Sequence, residues 1–501
     1  MPEDDFPETG IARVAGANDG TPSPIAILPV ELLVSIFRYL QPAPFPLLHV
    51  CGLWRQIACN DKVLWSEIPL GHHGQAQFAL RQSQPNPISV RWDHPSSHPE
   101  SPDSGALHLA LEELPRVRHI KLCLRSRPTV GVLSQLWMDR ATWLMTLQPA
   151  PFLKTLHLET RDFRHETFDR AIFLDETPSE LRAVYLKRFM LSPASILFTP
   201  SLTSLSLLSC YVWETFDEML DALVGMPQLR HLHLRDALPR DLTFPASAEP
   251  LTLPHLQTLL LGGWAPKVES SLRAISAPNA TLLDIELDRT GSDSQMSPKT
   301  FYQALSQWIK TSSAPCTYQT LSFRKGETPL QTDIVVDTSA THEDGIKPRK
   351  LTVRVLLPVY MPSTFFWEFL TKSDISNQDF EAFTNGLQEL TVYGISTCNE
   401  LLGSFESCAS SPNSVLLFPN LTHLRLQNFP FPAAPKQGTA SEKFRSLVLN
   451  MQRRQSRGSR CHLSISDCIL TAKQIKELRN TIGADYFHWD NKRSLAAYVP
   501  F

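Results

Sequence analysis

Paired cysteines are missing from this sequence. The nine cysteines are odd in number, scattered along the chain, and never fall as C-x-x-C. That pattern predicts reduced, mostly buried thiols in an intracellular protein rather than a disulfide framework. An excess of one charge is missing too. The formal net charge is -3, which exerts no global pull toward nucleic acid or anionic lipid. No run is long and apolar enough to span a bilayer, and the first residues lack the basic start and apolar core of a secretory leader. No nucleic acid and no membrane is therefore expected as a partner, and the expected location is cytoplasmic and/or nuclear. Glycine-rich phosphate loops, H-E-x-x-H and G-x-S-x-G are absent. No catalytic residue, cofactor or metal is expected, and the chain reads as non-enzymatic.

Proline, in contrast, is abundant. There are 40 in 501 residues, above the usual figure of about 5%, and they punctuate the chain at intervals. With 42% apolar and 19% charged residues, the composition is that of a folded protein. The length allows two or three domains, or one extended repeat domain.

Residues 25–70 carry one distinctive pattern. Leu28-Pro29 precedes a helix-forming run in which proline can occupy the first turn without losing a hydrogen bond. Glu31 suits the positive end of that helix. Leu32, Leu33, Ile36, Phe37 and Leu40 recur at three- and four-residue spacing, which predicts one apolar face. Pro42, Pro44 and Pro46 end the helix. Leu48, Val50, Cys51, Trp54, Ile57 and Ala58 form a second apolar segment, and Leu64-Trp65 closes the unit. So small a helical unit makes a thin core and needs a partner surface. The stretch resembles an F-box, through LP-x-E-L-L-x-x-I-F, then V-C-x-x-W-R-x-I-A, then L-W. Gly52-Leu53 stands where F-boxes often carry a basic pair. The resemblance implies docking on a Skp-type adaptor, and through it a cullin, by Leu28, Pro29, Glu31, Leu32, Ile36, Leu40, Leu48 and Trp54.

Farther along, the phrase P-x-L-x-x-L-x-L recurs from Pro151, Pro200, Pro227, Pro254 and Pro419. Looser copies include Ile120-Leu122, Val184-Leu186, Ile285-Leu287 and Leu390-Val392; degenerate ones lie near Leu321-Phe323, Leu351-Val353-Val355 and Leu463-Ile465. The leading positions 202, 229, 256 and 282 lie 27, 27 and 26 residues apart, inside the leucine-rich-repeat range of about 20–29. Helical spacing fills the intervals at 133–147, 212–226, 365–370, 442–451 and 472–482, and after Ser297-Pro298. Alternating strands and helices predict parallel strands joined by crossovers, stacked in chain order. The array resembles a divergent leucine-rich-repeat solenoid. With the short F-box ahead of it, the layout is similar to F-box proteins of mushroom-forming fungi.

The expected fold class is thus α/β: a leucine-rich-repeat-like solenoid of parallel strands and helices over 106–484, behind a small all-α F-box at 25–70. A disordered tail is expected at 1–24, a linker that is loop apart from a strand over Ile88–Trp92 at 71–105, and a C-terminal tail at 485–501. In the repeat phrase the leucines point inward, so the alternating residues face out. Tyr185, Lys187, His231, His233, Arg235, Glu286, Asp288, Arg324, Tyr393, His423 and Arg425 are the candidate contacts to an unidentified substrate protein. His231 and His233, two apart on one strand face, are more simply outward positions than a metal pair. Asp284, Glu286 and Asp288 read as a solvated strand face rather than a catalytic carboxylate pair, and Arg453, Arg454, Arg457 and Arg460 as exposed charge rather than a nuclear signal or a phosphate-facing patch. The resemblance implies a substrate-recognition adaptor of a Skp–cullin–F-box ubiquitin ligase. A non-ligase F-box scaffold and an α/β enzyme remain the alternatives.

Overall fold

The computed structural model describes residues 28–39, 44–93, 103–124, 139–160, 168, 172–241, 249–280, 282–288, 304, 308, 320–325, 331–337, 350–356, 389–393, 401–402, 418, 420–427, 439–468 and 470–490. The expected tail at 1–24 and the helix at 365–370 lie outside them, as does Leu40; of the helix expected after Ser297 only Ala304 and Trp308 are described, both helical and buried.

The fold is mixed α/β, with a sixteen-stranded sheet behind an N-terminal group of helices. Helices α1 (Val30–Arg38) and α2 (Gly52–Asn60) are followed by the short strand β1 (Glu67–Ile68), helix α3 (His73–Ser83), strand β2 (Ile88–Asp93) and helix α4 (Ser104–Glu112). Strands β3 (Val117–Leu124), β4 (Thr155–Thr160), β5 (Ala183–Lys187), β6 (Ser204–Leu208) and β7 (His231–Arg235) come next, with helix α5 (Phe216–Val224) between the last two. The two-residue strands β8 (Leu251–Thr252) and β10 (Ile275–Ser276) pair with each other beside β9 (Thr258–Trp264), helix α6 (Ala265–Ala274) and β11 (Leu282–Asp288). Then come β12 (Thr320–Lys325), β13 (Gln331–Asp337), β14 (Lys350–Leu356), β15 (Glu389–Tyr393) and β16 (His423–Gln427). Helix α7 (Thr439–Ser456), β17 (His462–Ser466), helix α8 (Ala472–Ile482) and β18 (Phe487–Trp489) complete the series.

The leucine phrases do become neighbouring parallel strands. From β1 to β7, then β9 and β11, each strand pairs in parallel with the next. Leu205, Leu207, Leu232, Leu234, Leu259 and Leu261 are all buried in one contiguous core. The repeated proline also has a backbone reason. In four copies it is the second residue of a turn whose fourth residue, a leucine, donates its N–H back to the first. The bonds are Leu153 to Ala150 (3.1 Å), Leu202 to Thr199 (3.0 Å), Leu229 to Met226 (3.1 Å) and Leu256 to Leu253 (3.2 Å). Proline's fixed φ pre-sets that second position and its missing N–H costs nothing there.

Strand exits repeat as well. Arg188, Ser209, Asp236 and Asp467 each follow a strand with φ between 50° and 65°, and Gly263 holds the same place in its phrase with φ 128°. The N–H groups of the first three bond the neighbouring strand's end, Arg188 to the Leu208 carbonyl (2.9 Å), Ser209 to Arg235 (2.6 Å) and Asp236 to Gly262 (3.0 Å), while that of Asp467 bonds Asp490 Oδ2 (3.0 Å). The left-handed region suits glycine and aspartate. The following residue turns inward, so Phe189, Cys210, Ala237 and Cys468 are buried.

Three expectations are corrected. The chain order of strands breaks after β11, which pairs with β14; the order runs β11-β14-β13-β12-β15, with β13 antiparallel to both neighbours. Segment 71–105 is not loop around one strand. It folds α3, with the His72 ring nitrogen accepting the Gly74 N–H at 3.1 Å, and Asp103 caps α4 through the N–H groups of Gly105 (2.8 Å) and Ala106 (3.1 Å). Side-chain acceptors thus close the starts of both helices, a ring nitrogen at α3 and the preferred aspartate at α4. Finally, the expected tail from 485 begins as sheet, since β18 pairs with β17.

Candidate functional site

Two surfaces qualify, and the helical unit is the first. Helix α1 turns Leu33 and Phe37 inward, both buried, while Leu32 (51% exposed), Ile36 (46%) and Val30 (49%) face outward. The single apolar face expected from spacing is therefore two faces. The adjacent pairs Leu32-Leu33 and Ile36-Phe37 place one member on each side, since neighbours on a helix point about 100° apart. Tyr39, Val50, Leu53 and Val63 extend the exposed apolar surface. The sequence reading missed these, and the doubled apolar pairs were the available signal.

The remaining expected residues of this unit divide. Pro29 is exposed, and its carbonyl accepts the N–H groups of Leu32 and Leu33, both at 3.1 Å. Glu31 is exposed. Leu28 and Leu48 are half-buried against the core, and the Leu48 carbonyl accepts Arg55 Nε at 2.7 Å. Trp54 is half-buried with its ring 4.9 Å from that of Phe37. Arg38 bridges α1 to the end of α2 through both Asp61 oxygens, at 3.0 and 3.1 Å. Trp65 faces the interior, toward α3, rather than the outside. It is fully buried, its Nε1 donates to the Ala58 carbonyl at 2.7 Å, and its ring meets Phe45 and Phe78 edge-on.

Residues 25–69 match the family model described as F-box-like. The chain thus has an F-box-like domain near its N-terminus, and F-box domains generally bind Skp-type adaptors. F-box proteins are typically non-catalytic substrate receptors. No curated protein matches the chain. Among the described residues no helix is long and apolar enough to cross a membrane.

The second surface is the outward face of the sheet. Tyr185, His231, His233, Arg235, Glu286, His423 and Arg425 are exposed or half-buried on it, as is Lys187. Backbone register aligns Tyr185 with Ser206 and His233, and Lys187 with Leu208, Arg235, Gly262 and Glu286. That gathers the candidates of β5, β7 and β11. His423 and Arg425 on β16 are not brought to them, because β9, β11, β14, β13, β12 and β15 intervene between β7 and β16. Asp288, Arg324 and Tyr393 fall on β11, β12 and β15, with side chains outside the described set.

Part of this charge is spent internally. Arg235 reaches across β9 to Glu286, 2.8 Å from nitrogen to oxygen. It passes over Gly262, where an added Cβ would meet Arg235 Cγ at 3.0 Å. Lys187 Nζ lies 2.7 Å from Glu159 Oε1, and that carboxylate is 4% exposed. His157 stacks on Tyr185 at 3.9 Å and lies 3.3 Å from Cys123 Sγ through Nε2. Cys123, His157 and Glu159 were not singled out from the sequence, although strand alternation places all three on this face. Burial pushes the Cys210 and Cys461 thiols each up to about 11, as expected of packing groups rather than reactive ones.

Proposed function

We propose that the chain is the substrate-recognition subunit of a Skp–cullin–F-box-type ubiquitin ligase. Its helical unit docks on the Skp-type adaptor, which brings a cullin, and its sheet domain, which runs from β1 to β18, holds a substrate protein. The observation that carries this reading is the outward apolar face of Val30, Leu32 and Ile36 inside the F-box-like match. Contiguous exposed apolar surface of this kind marks an association site. The subunit contributes proximity: holding two reactants together makes transfer effectively intramolecular.

The sheet domain is proposed to be a divergent leucine-rich-repeat solenoid, in the manner of F-box proteins of mushroom-forming fungi. The repeat signature places asparagine or cysteine three residues after its last strand leucine. Cys210 follows Leu207, and Cys468 follows Ile465, at that spacing. Both thiols lie near carbonyls of the preceding strand, Cys210 at 3.4 Å from Leu186 and Cys468 at 3.7 Å from Leu426.

Affinity purification of the full chain with mass spectrometry tests the proposal. A Skp-type adaptor and a cullin are expected with the native chain, and neither with Leu28→Ala/Pro29→Ala. Adaptor without cullin would instead establish a non-ligase scaffold. Arg235→Glu with Arg425→Glu is expected to lose a specific partner while keeping the adaptor; an unchanged partner set would move the substrate surface off this face. The expected location is cytoplasmic and/or nuclear.

A further inference from the structure

We infer that Cys123, His157 and Glu159 form a binding site for a zinc-class divalent ion on the outward face of the sheet. Their ligand atoms, one thiol sulfur, one imidazole nitrogen and one carboxylate oxygen, all lie within 4.8 Å of one another. Two adjacent strands make this arrangement. Cys123 on β3 is in direct register with Glu159 on β4, and His157 stands two residues before Glu159, so all three project from the same side of the pleat.

The spacing suits a metal. Zinc takes Cys sulfur at about 2.3 Å and His nitrogen at about 2.0–2.1 Å in tetrahedral geometry, which sets the two donors about 3.5 Å apart. Cys123 Sγ and His157 Nε2 are 3.3 Å apart. The mixed sulfur, nitrogen and oxygen set is that of a borderline ion such as Zn2+, not of Ca2+ or Mg2+, which take oxygen. Three protein ligands leave a fourth position, filled by water. The stacked Tyr185 ring fixes the plane of His157. Binding releases the Cys123 thiol proton to solvent and uses neutral His157.

Lys187 is the competitor. Its ammonium compensates the buried Glu159 carboxylate in the protein without an ion, and metal and ammonium cannot both be optimally paired with one carboxylate. That competition gives the site its test. The full chain is titrated with Co2+ and then Zn2+, following the optical spectrum and the melting temperature. One Co2+ per chain is expected, with a thiolate charge-transfer band and tetrahedral d–d bands, both removed by Zn2+. Cys123→Ser should abolish the charge-transfer band, and His157→Gln should weaken Zn2+ binding at least tenfold. His233→Gln, on the same face, should leave both unchanged. Lys187→Met should melt lower than the native chain without metal and gain more from Zn2+, because the ion replaces the lost partner of Glu159. Absence of the thiolate band in the native chain, or a band that survives Cys123→Ser, would overturn the site. So would a Lys187→Met variant that Zn2+ fails to stabilise, which would mark Glu159 as half of an ordinary ion pair.

Discussion

Helices α1 and α5 are nine residues each, and they dispose of their apolar side chains differently. Helix α5 buries Phe216, Met219 and Leu223 and turns Asp217, Glu218 and Asp221 away; only Val224, at its last position, is an exposed large apolar residue. Its start is closed by a capping box, with the Thr215 hydroxyl accepting Glu218 N–H at 3.2 Å and the Glu218 carboxylate accepting Thr215 N–H at 3.4 Å. Helix α1 has no side-chain cap and sends three of its apolar residues into water. An amphipathic helix completed within its own fold looks like α5. Helix α1 has the make-up of one completed by a second protein.

Truncation on the inward side of α5 sharpens that contrast most. Met219 is fully buried, and Met219→Ala should cost about 2–5 kcal/mol by denaturant unfolding, as core truncations do. Adaptor association at temperatures where the variant stays folded should not change. The reverse pattern is expected for Leu32→Asp/Ile36→Asp. Melting should stay within about 0.5 kcal/mol of the native chain, as for exposed sites, while adaptor affinity falls at least tenfold, about 1.4 kcal/mol. A double variant that binds at full strength would remove α1 from the interface.

The first of these effects could be anticipated from periodicity, since Trp213, Phe216, Met219, Leu220 and Leu223 follow one stripe. The second could not, because periodicity assumes a single buried face and α1 has two apolar ones. The same division runs through the sheet. Strand positions were legible from the leucines, down to the degenerate copies at Leu321, Leu351 and Leu463, which all lie in strands. The order in which strands pair is a long-range choice that no local phrase encodes, so the antiparallel β13 between β12 and β14 was invisible. Arg454 shows the opposite failure. It read as exposed charge among arginines, yet it is fully buried, with Nε donating to Asn450 Oδ1 (2.9 Å) and a terminal nitrogen to the Phe418 carbonyl (2.8 Å). Side-chain type predicted solvent; two specific acceptors made burial tolerable.

Smaller effects probe how self-contained the sheet face is. Gly262→Ala places a methyl against the Arg235 side chain and should displace it from Glu286. The pair is partly exposed, so the stability loss should be about 1 kcal/mol or less; a crystal structure with the ion pair retained would contradict this. Asp103→Asn should act at neutral pH and lose its effect in acid. The carboxyl of Asp103 is held below its ordinary value, first by the Ala106 N–H and also by those of His73 and Gly105. A depressed folded value means the stabilisation is complete above the unfolded pKa of about 3.9 and disappears as pH falls through the folded one. The variant should cost less than about 1 kcal/mol at neutral pH, since asparagine also caps helices. Its stability should change less with pH in that acid window than that of the native chain.

Trp65 has a mechanical consequence. Packed edge-on against Phe45 and Phe78, and followed at once by the Ser66 carbonyl that accepts the Ser89 N–H at 2.7 Å, it ties the F-box-like helices to α3 beside the first strands of the sheet. Under the proposed function, a substrate held on such an arm would not roam a sphere set by a tether. It would be presented at one bearing and one reach, so the lysines that receive ubiquitin would be chosen by surveying distance from the joint rather than by sequence around them. Loosening that tie would leave both binding steps intact and blur the address.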